Sequence, residues 1–275
     1  MSFALIQSAI GTLYSAPRAG AGRTDEALYG MRVEILEQDG EYDYIRTHYR
    51  YEGWIRREDL ASENSVRENW EHSAQVLVSH SYADILSEPS IKAPPLISLT
   101  RGARLELTDG SSNHDGWVCV RLLDGRAGYI RENFLTPYIP PRTVSDLEED
   151  VFRKAVTESA RSYLGTQYRW GGKTPLGIDC SGLCSTAYML NGILIYRDAS
   201  IQDGFPVHPI RRQDVKPGDL FYFPGHIAMS LGEDLFIHST SKKGYFGVVI
   251  NSFDPSHPQY RPDLLQSLYA CGSIF

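Results

Sequence analysis

The N-terminal half of the chain contains an internal repeat, and this repeat limits the possible folds more than any other feature. Three segments of a first copy recur in the same order in a second copy: Leu13–Pro17 as Ile85–Pro89, Gly30–Ile35 as Gly102–Leu107, and Gly53–Leu60 as Gly128–Leu135. An insertion around the turn Ser111–His114 explains the larger offset of the last pair. Because a sequence repeat is a structural unit used again, we expect two copies of one small domain, at 1–68 and 69–138.

Each copy alternates apolar and polar residues with a period of two, as at Val33 and Ile35. Asp39–Gly40 and Asp124–Gly125 are dipeptides that favour tight hairpin turns between such runs. Short strands at this spacing are typical of small barrels or sandwiches. The Gly-aromatic-Ile ending of each copy resembles the bacterial SH3-like domain, which implies two small β-barrels. A single β-sandwich built from both copies is the alternative.

A proline-rich connector, Thr136–Arg142, separates the repeats from a C-terminal part with a different pattern. Such a segment is stiff and extended. Ser145 and Glu148 have the spacing of a helix-capping box. Apolar residues then recur at helical intervals as far as Leu164, at Val151, Ala155 and Ala160. We therefore expect a third domain at 139–275 that opens with a helix.

Composition argues against several classes of partner. The 27 Lys and Arg residues against 34 Asp and Glu residues give a net charge of −7 without a basic run, so nucleic acid is not an expected partner. No stretch approaches the ~18 apolar residues of a membrane span. Met1–Ile10 lacks the basic start of a secretory signal. We expect a cytoplasmic monomer; a secreted or periplasmic protein whose signal has been removed is the alternative.

Cys180 is the strongest candidate for a reactive residue. Asp179 is a good helix N-cap and Asn191–Gly192 a good C-terminal stop, so Cys180 falls in the first turn of a helix. The free N–H groups and the dipole of a helix start favour a thiolate and lower the thiol pKa from about 8.5. A thiolate there is a nucleophile when a base is near. The alternative is a small, buried core residue.

Two histidines supply a candidate base. Gly232–Asp234 is a hairpin signal between the apolar runs that contain His226 and His238. If the turn centres on Glu233, residue 228 lies opposite His238, and His226 lies two residues further along the same face. His226 can then accept the thiol proton on one ring nitrogen, while His238 holds the other nitrogen and fixes the tautomer.

Other nucleophiles and possible ligands fit different roles better. Cys184 is not at the two-residue spacing of redox or zinc motifs and is expected in the core. Ser181 is not in a Gly-x-Ser-x-Gly elbow, which disfavours a serine hydrolase. Asp179 is a conceivable third member of a triad, but N-capping occupies its carboxylate. The remaining histidines lack partners at ligand spacing, so we expect no metal and no cofactor.

Four features together resemble the NlpC-type cysteine peptidases of bacterial cell walls: Asp179–Leu183, Tyr168–Gly172, Lys216–Leu220, and the spacing of His226 and His238. Each is weak alone, but jointly they are specific. The resemblance covers about residues 145–275 for catalysis and 5–138 for accessory SH3-like domains. It implies a multidomain protein with two small SH3-like β-barrels followed by a papain-like α+β peptidase domain. In that fold a helix with the nucleophile packs against a small antiparallel sheet with the histidines.

The family cleaves peptidoglycan stem peptides, usually between D-glutamate, bonded through its γ-carboxyl, and a diamino acid. The resemblance implies that Cys180 is the nucleophile, His226 the base and then the acid, and His238 the orienting third residue. Cys180 would attack the γ-carbonyl, His226 would protonate the leaving amine, and water would release the thioester. The Cys180 backbone N–H and the Tyr168 hydroxyl are the candidate oxyanion donors.

Family members with two SH3-like domains act on short stem peptides that have a free N-terminal L-Ala. In them the first accessory domain closes one end of the cleft and excludes glycan-linked peptides. Asp179, Ser181 and Trp170 match positions that line this pocket. Glu26 and Tyr51 match a Glu and a Tyr of the first SH3-like domain that help to bind the amine. The implied partner is a peptidoglycan-derived stem peptide, L-Ala-γ-D-Glu-diamino acid, and the implied role is muropeptide turnover or recycling.

Two other functions remain open from the sequence. One is a papain-like amidase or acyltransferase, and the other is a cell-wall-binding protein without catalytic activity. Diaminopimelate and lysine both remain open as the diamino acid.

Overall fold

The structure, a computed structural model, describes residues 2–61, 69–108 and 115–275. The chain forms two compact units, Met1–Tyr138 and Ile139–Phe275. The predicted boundary after residue 68 and the predicted insertion at Ser111–His114 lie outside the described residues. In the described part of the chain, no helix is long and apolar enough to cross a membrane.

The two copies of the repeat form two sheets with the same strand order. The strands of the first copy are β1 (Ser2–Ile6), β2 (Ile10–Tyr14), β3 (Arg23–Leu28), β4 (Arg32–Asp39), β5 (Tyr42–Thr47), β6 (Glu52–Arg56) and β7 (Leu60–Ala61). Those of the second copy are β8 (Val76–Val78), β9 (Tyr82–Leu86), β10 (Pro95–Thr100), β11 (Arg104–Leu107), β12 (Trp117–Arg121), β13 (Ala127–Arg131) and β14 (Leu135–Pro137). The orders β3-β2-β6-β5-β4-β1-β7 and β10-β9-β13-β12-β11-β8-β14 match strand for strand. The prediction of two SH3-like units is confirmed, and the single sandwich is wrong.

Both predicted hairpin turns are present. Strands β4 and β5 pair antiparallel across Gly40, and β12 and β13 pair across Gly125. The two glycines have φ values of 56° and 85°, in the left-handed region that glycine adopts without steric strain. Turn chemistry therefore sets the register of both hairpins.

A buried contact joins the two copies within the first unit. The Tyr29 hydroxyl accepts a hydrogen bond from the Leu123 backbone N–H at 2.7 Å, and the Tyr29 carbonyl accepts one from the Arg104 N–H at 2.9 Å. Trp70, in the short helix α1 (Trp70–Ser73), donates its indole N–H to the Gly30 carbonyl at 3.0 Å. A Cβ on Gly30 would lie 2.7 Å from the Arg104 carbonyl oxygen, so a larger residue would separate the two copies.

The second unit combines three helices with one antiparallel sheet. The helices are α2 (Glu149–Arg161), α3 (Cys180–Leu190) and α4 (Pro262–Ser267). A small hairpin, β15 (Lys173–Thr174) and β16 (Gly177–Ile178), precedes α3. The sheet contains β17 (His208–Ile210), β18 (Leu220–Phe223), β19 (His226–Gly232), β20 (Leu235–Thr240), β21 (Gly247–Ser252) and β22 (Ala270–Ser273), in the order β17-β22-β18-β19-β20-β21.

Helix α3 packs against α2 and against strands β19 and β20. Its apolar residues Leu183, Cys184 and Ala187 share one buried core with Ile227 and Ile237 of the sheet. The helix that begins at Cys180 is thereby held against the strands that carry His226 and His238. The predicted papain-like α+β arrangement is confirmed.

Helix α2 begins later than the sequence predicts. The predicted capping box of Ser145 and Glu148 does not form, because Thr143 and Asp146 form one instead and cap a 3₁₀ turn at Val144–Asp146. The α-helix then starts at Glu149 without a side-chain cap.

The buried face of α2 is also different from the predicted one. Val151 is 69% exposed, whereas Phe152, Val156 and Ala160 are buried. The helix thus turns its largest apolar side chain, Phe152, into the core, where it packs edge-on against Tyr188 of α3. Side-chain volume therefore predicts the buried face of α2 better than the spacing of small apolar residues does.

Candidate active site

The helix start at Cys180 is set by Asp179 and two glycines. The Asp179 carboxylate accepts the Gly182 backbone N–H at 2.6 Å, so the predicted N-cap is confirmed. Its other oxygen accepts the Gly171 N–H at 2.8 Å. A Cβ on Gly182 would lie 2.2 Å from the Gly172 carbonyl oxygen. Glycine at 182 therefore allows the first turn of α3 to lie directly against the preceding loop.

The Cys180 thiol lies in this first turn and is only 5% exposed. Burial raises its pKa to about 11, and the nearby Asp179 charge also raises it, while hydrogen bonds from the backbone N–H groups of Ile227 and Ser181 lower it. The helix-start effect predicted from the sequence is present, but loss of hydration outweighs it. The prediction of a lowered thiol pKa is therefore wrong. The hydrogen bond from Ile227 places the thiol beside the start of β19, the strand that carries His226.

The two histidines are hydrogen-bonded to each other. His226 Nε2 lies 2.7 Å from His238 Nδ1. Strands β19 and β20 pair with Met229 opposite Ile237, which is the register of a turn centred on Glu233, as predicted. Glu233 itself has a φ of 50°, a value typical of a tight hairpin turn.

A third polar side chain continues this line across the sheet. Asn251 lies in β21, and its Oδ1 is 2.8 Å from His238 Nε2. Val249 is paired with His238, so Asn251 lies two residues further along the same face of the sheet. The Asn251 Oδ1 also accepts a hydrogen bond from Arg261 Nη1 at 3.2 Å. Three neighbouring strands thus align His226, His238 and Asn251.

Both imidazoles are held neutral by their surroundings. Burial lowers the pKa of His226 to about 4, and the charge of Arg261 lowers it further. Burial, followed by His226, lowers the pKa of His238 to about 3. His238 is fully buried, whereas His226 is half-buried. A neutral imidazole can accept a proton, so His226 is in the protonation state that a general base requires.

Asp179 is also paired with a buried arginine. Arg197 donates to both carboxylate oxygens of Asp179, at 3.1 and 3.2 Å, and to the Ser181 hydroxyl at 2.8 Å. With the N–H groups of Gly182 and Gly171 and the Ser181 hydroxyl, which donates at 3.4 Å, five donors surround the Asp179 carboxylate. Asp179 and Ser181, predicted to line a substrate pocket, are therefore already engaged with Arg197.

Tyr168 and Trp170 lie in the loop before β15. Burial raises the pKa of Tyr168, and the charges of Cys180 and Asp179 raise it further, so its hydroxyl remains a protonated donor at neutral pH. Trp170 is 69% exposed, an unusual position for a large aromatic side chain. Both predicted residues therefore lie in the loop that leads to Cys180.

Glu26 and Tyr51, the other predicted substrate residues, belong to the first unit. Glu26 lies in β3 with its side chain buried, and the Arg23 guanidinium is 3.8 Å away. The Tyr51 backbone, just before β6, is hydrogen-bonded to Thr47 at the end of β5. The role of both residues in substrate binding stays a prediction.

Sequence reasoning missed Arg197, Asn251 and Arg261. The contact of Asn251 could in principle have been predicted, because Asn251 lies diagonally across from His238 on the neighbouring strand, as His238 does from His226. The segment 241–246 between β20 and β21 lacks a compact hairpin signal, so the register of β21 was not deducible. Arg197 follows an apolar run and carries no local signal of its burial.

Among the described residues, no group of three or more His, Cys, Asp and Glu side chains is arranged to hold a metal ion. The candidate site consists of a thiol, two imidazoles and hydrogen-bonding groups. This set is suited to acyl transfer through a thioester.

The sequence matches two family profiles. That of the NlpC/P60 family matches residues 165–262, and that of the bacterial dipeptidyl-peptidase Sh3 domain matches residues 13–60. The first range contains Cys180, His226, His238 and Asn251, and the second lies in the first copy of the repeat.

Similar proteins span the whole chain. Dipeptidyl-peptidase 6 of Lysinibacillus sphaericus is 42% identical over 99% of both proteins. A γ-D-glutamyl-L-lysine dipeptidyl-peptidase of Bacillus cereus is 26% identical over 78% of this chain and 66% of its own length. The crystal structure of an NlpC/P60 family protein from Bacillus cereus has the same fold, with a TM-score of 0.78, 22% identity and 98% coverage of both chains. The chain thus belongs to the NlpC/P60 family and is a cell-wall peptidase preceded by bacterial SH3-like domains.

Proposed function

We propose that this chain is a cysteine endopeptidase that cleaves the γ-D-glutamyl–diamino acid bond of stem peptides with a free N-terminal L-Ala, in muropeptide turnover or recycling. The observation that carries the proposal is the hydrogen-bonded line from His226 through His238 to Asn251, beside the helix start at Cys180. The names of two relatives, dipeptidyl-peptidase 6 and γ-D-glutamyl-L-lysine dipeptidyl-peptidase, support the type of bond and the release of a dipeptide.

The first step is attack of the Cys180 sulfur on the γ-carbonyl carbon. Because burial keeps the thiol protonated, His226 accepts its proton as the carbon–sulfur bond forms. The resulting imidazolium is stabilised by His238, whose ring is hydrogen-bonded to that of His226. Partial positive charge is then shared along a buried line of polar groups.

The second step is departure of the diamino acid. The tetrahedral oxyanion accepts hydrogen bonds from the Cys180 backbone N–H and from the Tyr168 hydroxyl, which stays protonated because its pKa is raised. His226 returns its proton to the leaving amine, and the L-Ala-D-Glu unit remains as a thioester on Cys180. Water, activated by His226, then releases the dipeptide.

A free N-terminus gives the substrate a positive charge at one end. Asp179 contributes negative charge on the Cys180 side, although its lone pairs are engaged by Arg197 and by backbone N–H groups. In this proposal Glu26 and Tyr51 supply acceptors for the amine. Acetylation of the N-terminus removes the charge and adds bulk, so it should abolish cleavage.

The test is mass spectrometry of the products from paired peptides. One peptide is L-Ala-γ-D-Glu with a diamino acid attached, in a diaminopimelate form and a lysine form, and the other is the same peptide with an acetylated N-terminus. Cleavage of only the free peptide, lost in Cys180→Ala and retained in Cys184→Ala, is the expected result. Cleavage of both peptides would retain the peptidase but contradict the amine requirement. No cleavage of either would contradict the proposed bond specificity.

A further inference from the structure

We propose that Arg261 is a positioning residue that fixes the orientation of the Asn251 side-chain amide. This orientation sets the tautomers of His238 and His226. It thereby selects the nitrogen of His226 that accepts the thiol proton. This inference rests on the proposed roles of Cys180 and His226. It concerns a residue that touches neither the thiol nor the reacting bond.

The first step of the argument is the identity of the Asn251 atom between Arg261 and His238. Arg261 is 4% exposed, and its Nη1 points at this atom from 3.2 Å. A guanidinium has only donors. The atom must therefore be the amide oxygen, because an amide nitrogen at this place would face the Arg261 donor with a second donor.

The second step concerns the other end of the same amide. Asn251 is fully buried, and its Nδ2 has no hydrogen-bond partner among the residues that the structure describes. The amide nitrogen therefore contributes nothing to holding the group in place. Its orientation depends on what the oxygen accepts, namely the hydrogen bonds from Arg261 and His238.

The third step shows how the position of the amide oxygen determines the tautomers of the two histidines. An oxygen at Asn251 Oδ1 can only accept, so His238 Nε2, 2.8 Å away, carries a hydrogen. A neutral His238 then has an unprotonated Nδ1, which accepts from His226 Nε2 at 2.7 Å. His226 Nε2 carries its hydrogen, and His226 Nδ1 is left as the basic nitrogen.

The reversed amide would give the opposite result. With Asn251 Nδ2 toward His238, the Nε2 of His238 must accept and its Nδ1 must carry the hydrogen. His226 Nε2 must then be unprotonated and Nδ1 protonated. In that state the basic nitrogen of His226 is occupied by His238, and Nδ1 cannot accept the proton of the thiol.

Arg261 is itself held firmly in place. Its Nε and Nη2 each donate to one oxygen of Asp263 at 2.8 Å, and Lys242 also donates to Asp263 at 2.9 Å. The guanidinium lies 5.4 Å from the centre of the Tyr245 ring. Because Lys242 remains paired with Asp263 when the guanidinium is removed, an Arg261→Met variant leaves the half-exposed carboxylate with a partner.

The experiment measures histidine tautomers and kinetics in the same full-length proteins. Histidine is labelled with ¹⁵N, and long-range proton–nitrogen spectra at neutral pH report which nitrogen of His226 and His238 carries the hydrogen. In the wild type we expect hydrogen on Nε2 of both rings. In Arg261→Met we expect a mixture of tautomers and a loss of kcat of about 10- to 100-fold, the range of one hydrogen bond to a charged group, with little change in KM.

A double variant provides the rescue. In Arg261→Met/Asn251→Asp, a carboxylate presents an acceptor to His238 in either orientation. We expect it to restore the Nε2–H tautomers and most of the lost kcat. Arg211→Met is the matched control, because it removes an arginine from an exposed bidentate pair with Asp214, and it should change neither readout.

Several results would overturn the proposal. Wild-type tautomers in Arg261→Met would do so, as would changed tautomers with unchanged kcat, or a double variant with neither readout restored. If Arg261→Met does not fold, Asn251→Asp and Asn251→Leu take its place: Asp should retain the tautomers and Leu should lose them, and equal spectra would overturn the proposal. Wild-type protein that cleaves no peptide would contradict the proposed function, while the spectra would still test the role of Arg261.

Discussion

Arg197 and Asp179 form a buried, bidentate ion pair one residue before Cys180, with nitrogen–oxygen distances of 3.1 and 3.2 Å. Asp179 is 6% exposed and Arg197 is 1% exposed. The negative charge of Asp179 raises the pKa of the Cys180 thiol, and the positive charge of Arg197 lowers it. The effect of Asp179 on the thiol is the larger of the two, so the pair as a whole still favours the protonated thiol while it fixes the helix cap.

Removal of Arg197 alone should strongly lower the free energy of unfolding. Arg197→Met leaves Asp179 buried without a counter-ion, for which a loss of about 3 to 5 kcal/mol in the free energy of unfolding is expected. The double variant Asp179→Asn/Arg197→Met removes both charges and retains a side chain able to cap the helix. It should be less destabilised than the single variant, as measured by urea unfolding. Equal losses in the two proteins would show that the pair acts through packing alone.

The pH dependence of Cys180 alkylation follows from its buried position. Because burial raises the thiol pKa to about 11, the thiolate fraction should increase steadily through the neutral and mildly alkaline range. The rate of reaction with iodoacetamide should rise about tenfold per pH unit between about pH 7 and 9. Cys180→Ala provides the background from the other cysteines. A rate that is already constant below pH 7 would instead indicate a stable thiolate–imidazolium pair.

His238 should make the protein less stable in acid. Its pKa is lowered to about 3 by burial, compared with about 6.5 in an unfolded chain. Below pH 6.5 the unfolded state therefore binds more protons than the folded state, and stability decreases as the pH falls toward 3. Between pH 6.5 and 5 this one group should remove about 2 kcal/mol from the free energy of unfolding. Calorimetry at both pH values should show a smaller decrease in Tm for His238→Asn, and an identical decrease would contradict the assignment.

Gly182 should tolerate no side chain. In Gly182→Ala the new Cβ would lie 2.2 Å from the Gly172 carbonyl oxygen and 2.9 Å from Asp179 Oδ1, so the helix start must move away from the loop. A displacement on the order of 1 Å at a nucleophile lowers kcat/KM by about 100-fold. Gly22→Ala is the matched control, since its nearest neighbour would be the Ser15 hydroxyl at 3.8 Å, and it should leave kcat/KM unchanged. Full activity in Gly182→Ala would show that the loop containing Gly172 moves and the helix start does not.

Much of the fold is local enough to be predicted from the sequence. The repeat appears as two sheets of identical order, and Gly40 and Gly125 lie in the predicted turns. Asp179 caps the predicted helix, and the hairpin around Glu233 brings His226 to His238. Each of these features depends on residues close together in the chain, where turn chemistry and side-chain periodicity act directly.

The failures have a different origin. The start of α2 was misplaced because Thr143, rather than Ser145, forms the capping box, and the two residues have nearly the same capping propensity. The direction of the Cys180 pKa shift was wrong because it depends on how much of the thiol the sheet covers. Neither a competition between neighbouring caps nor a degree of burial can be read from composition and spacing.

By itself the sequence determined the number of repeats, the helix that begins at Cys180 and the pairing of His226 with His238, because those features are set by turns, caps and short-range strand register. The tertiary structure decided which buried arginines contact Asp179 and Asn251. Arg197 reaches Asp179 across an irregular segment, and Arg261 reaches Asn251 from the start of α4. Such contacts form only when the chain is packed, since removal of these charged groups from water requires partners supplied by distant parts of the chain.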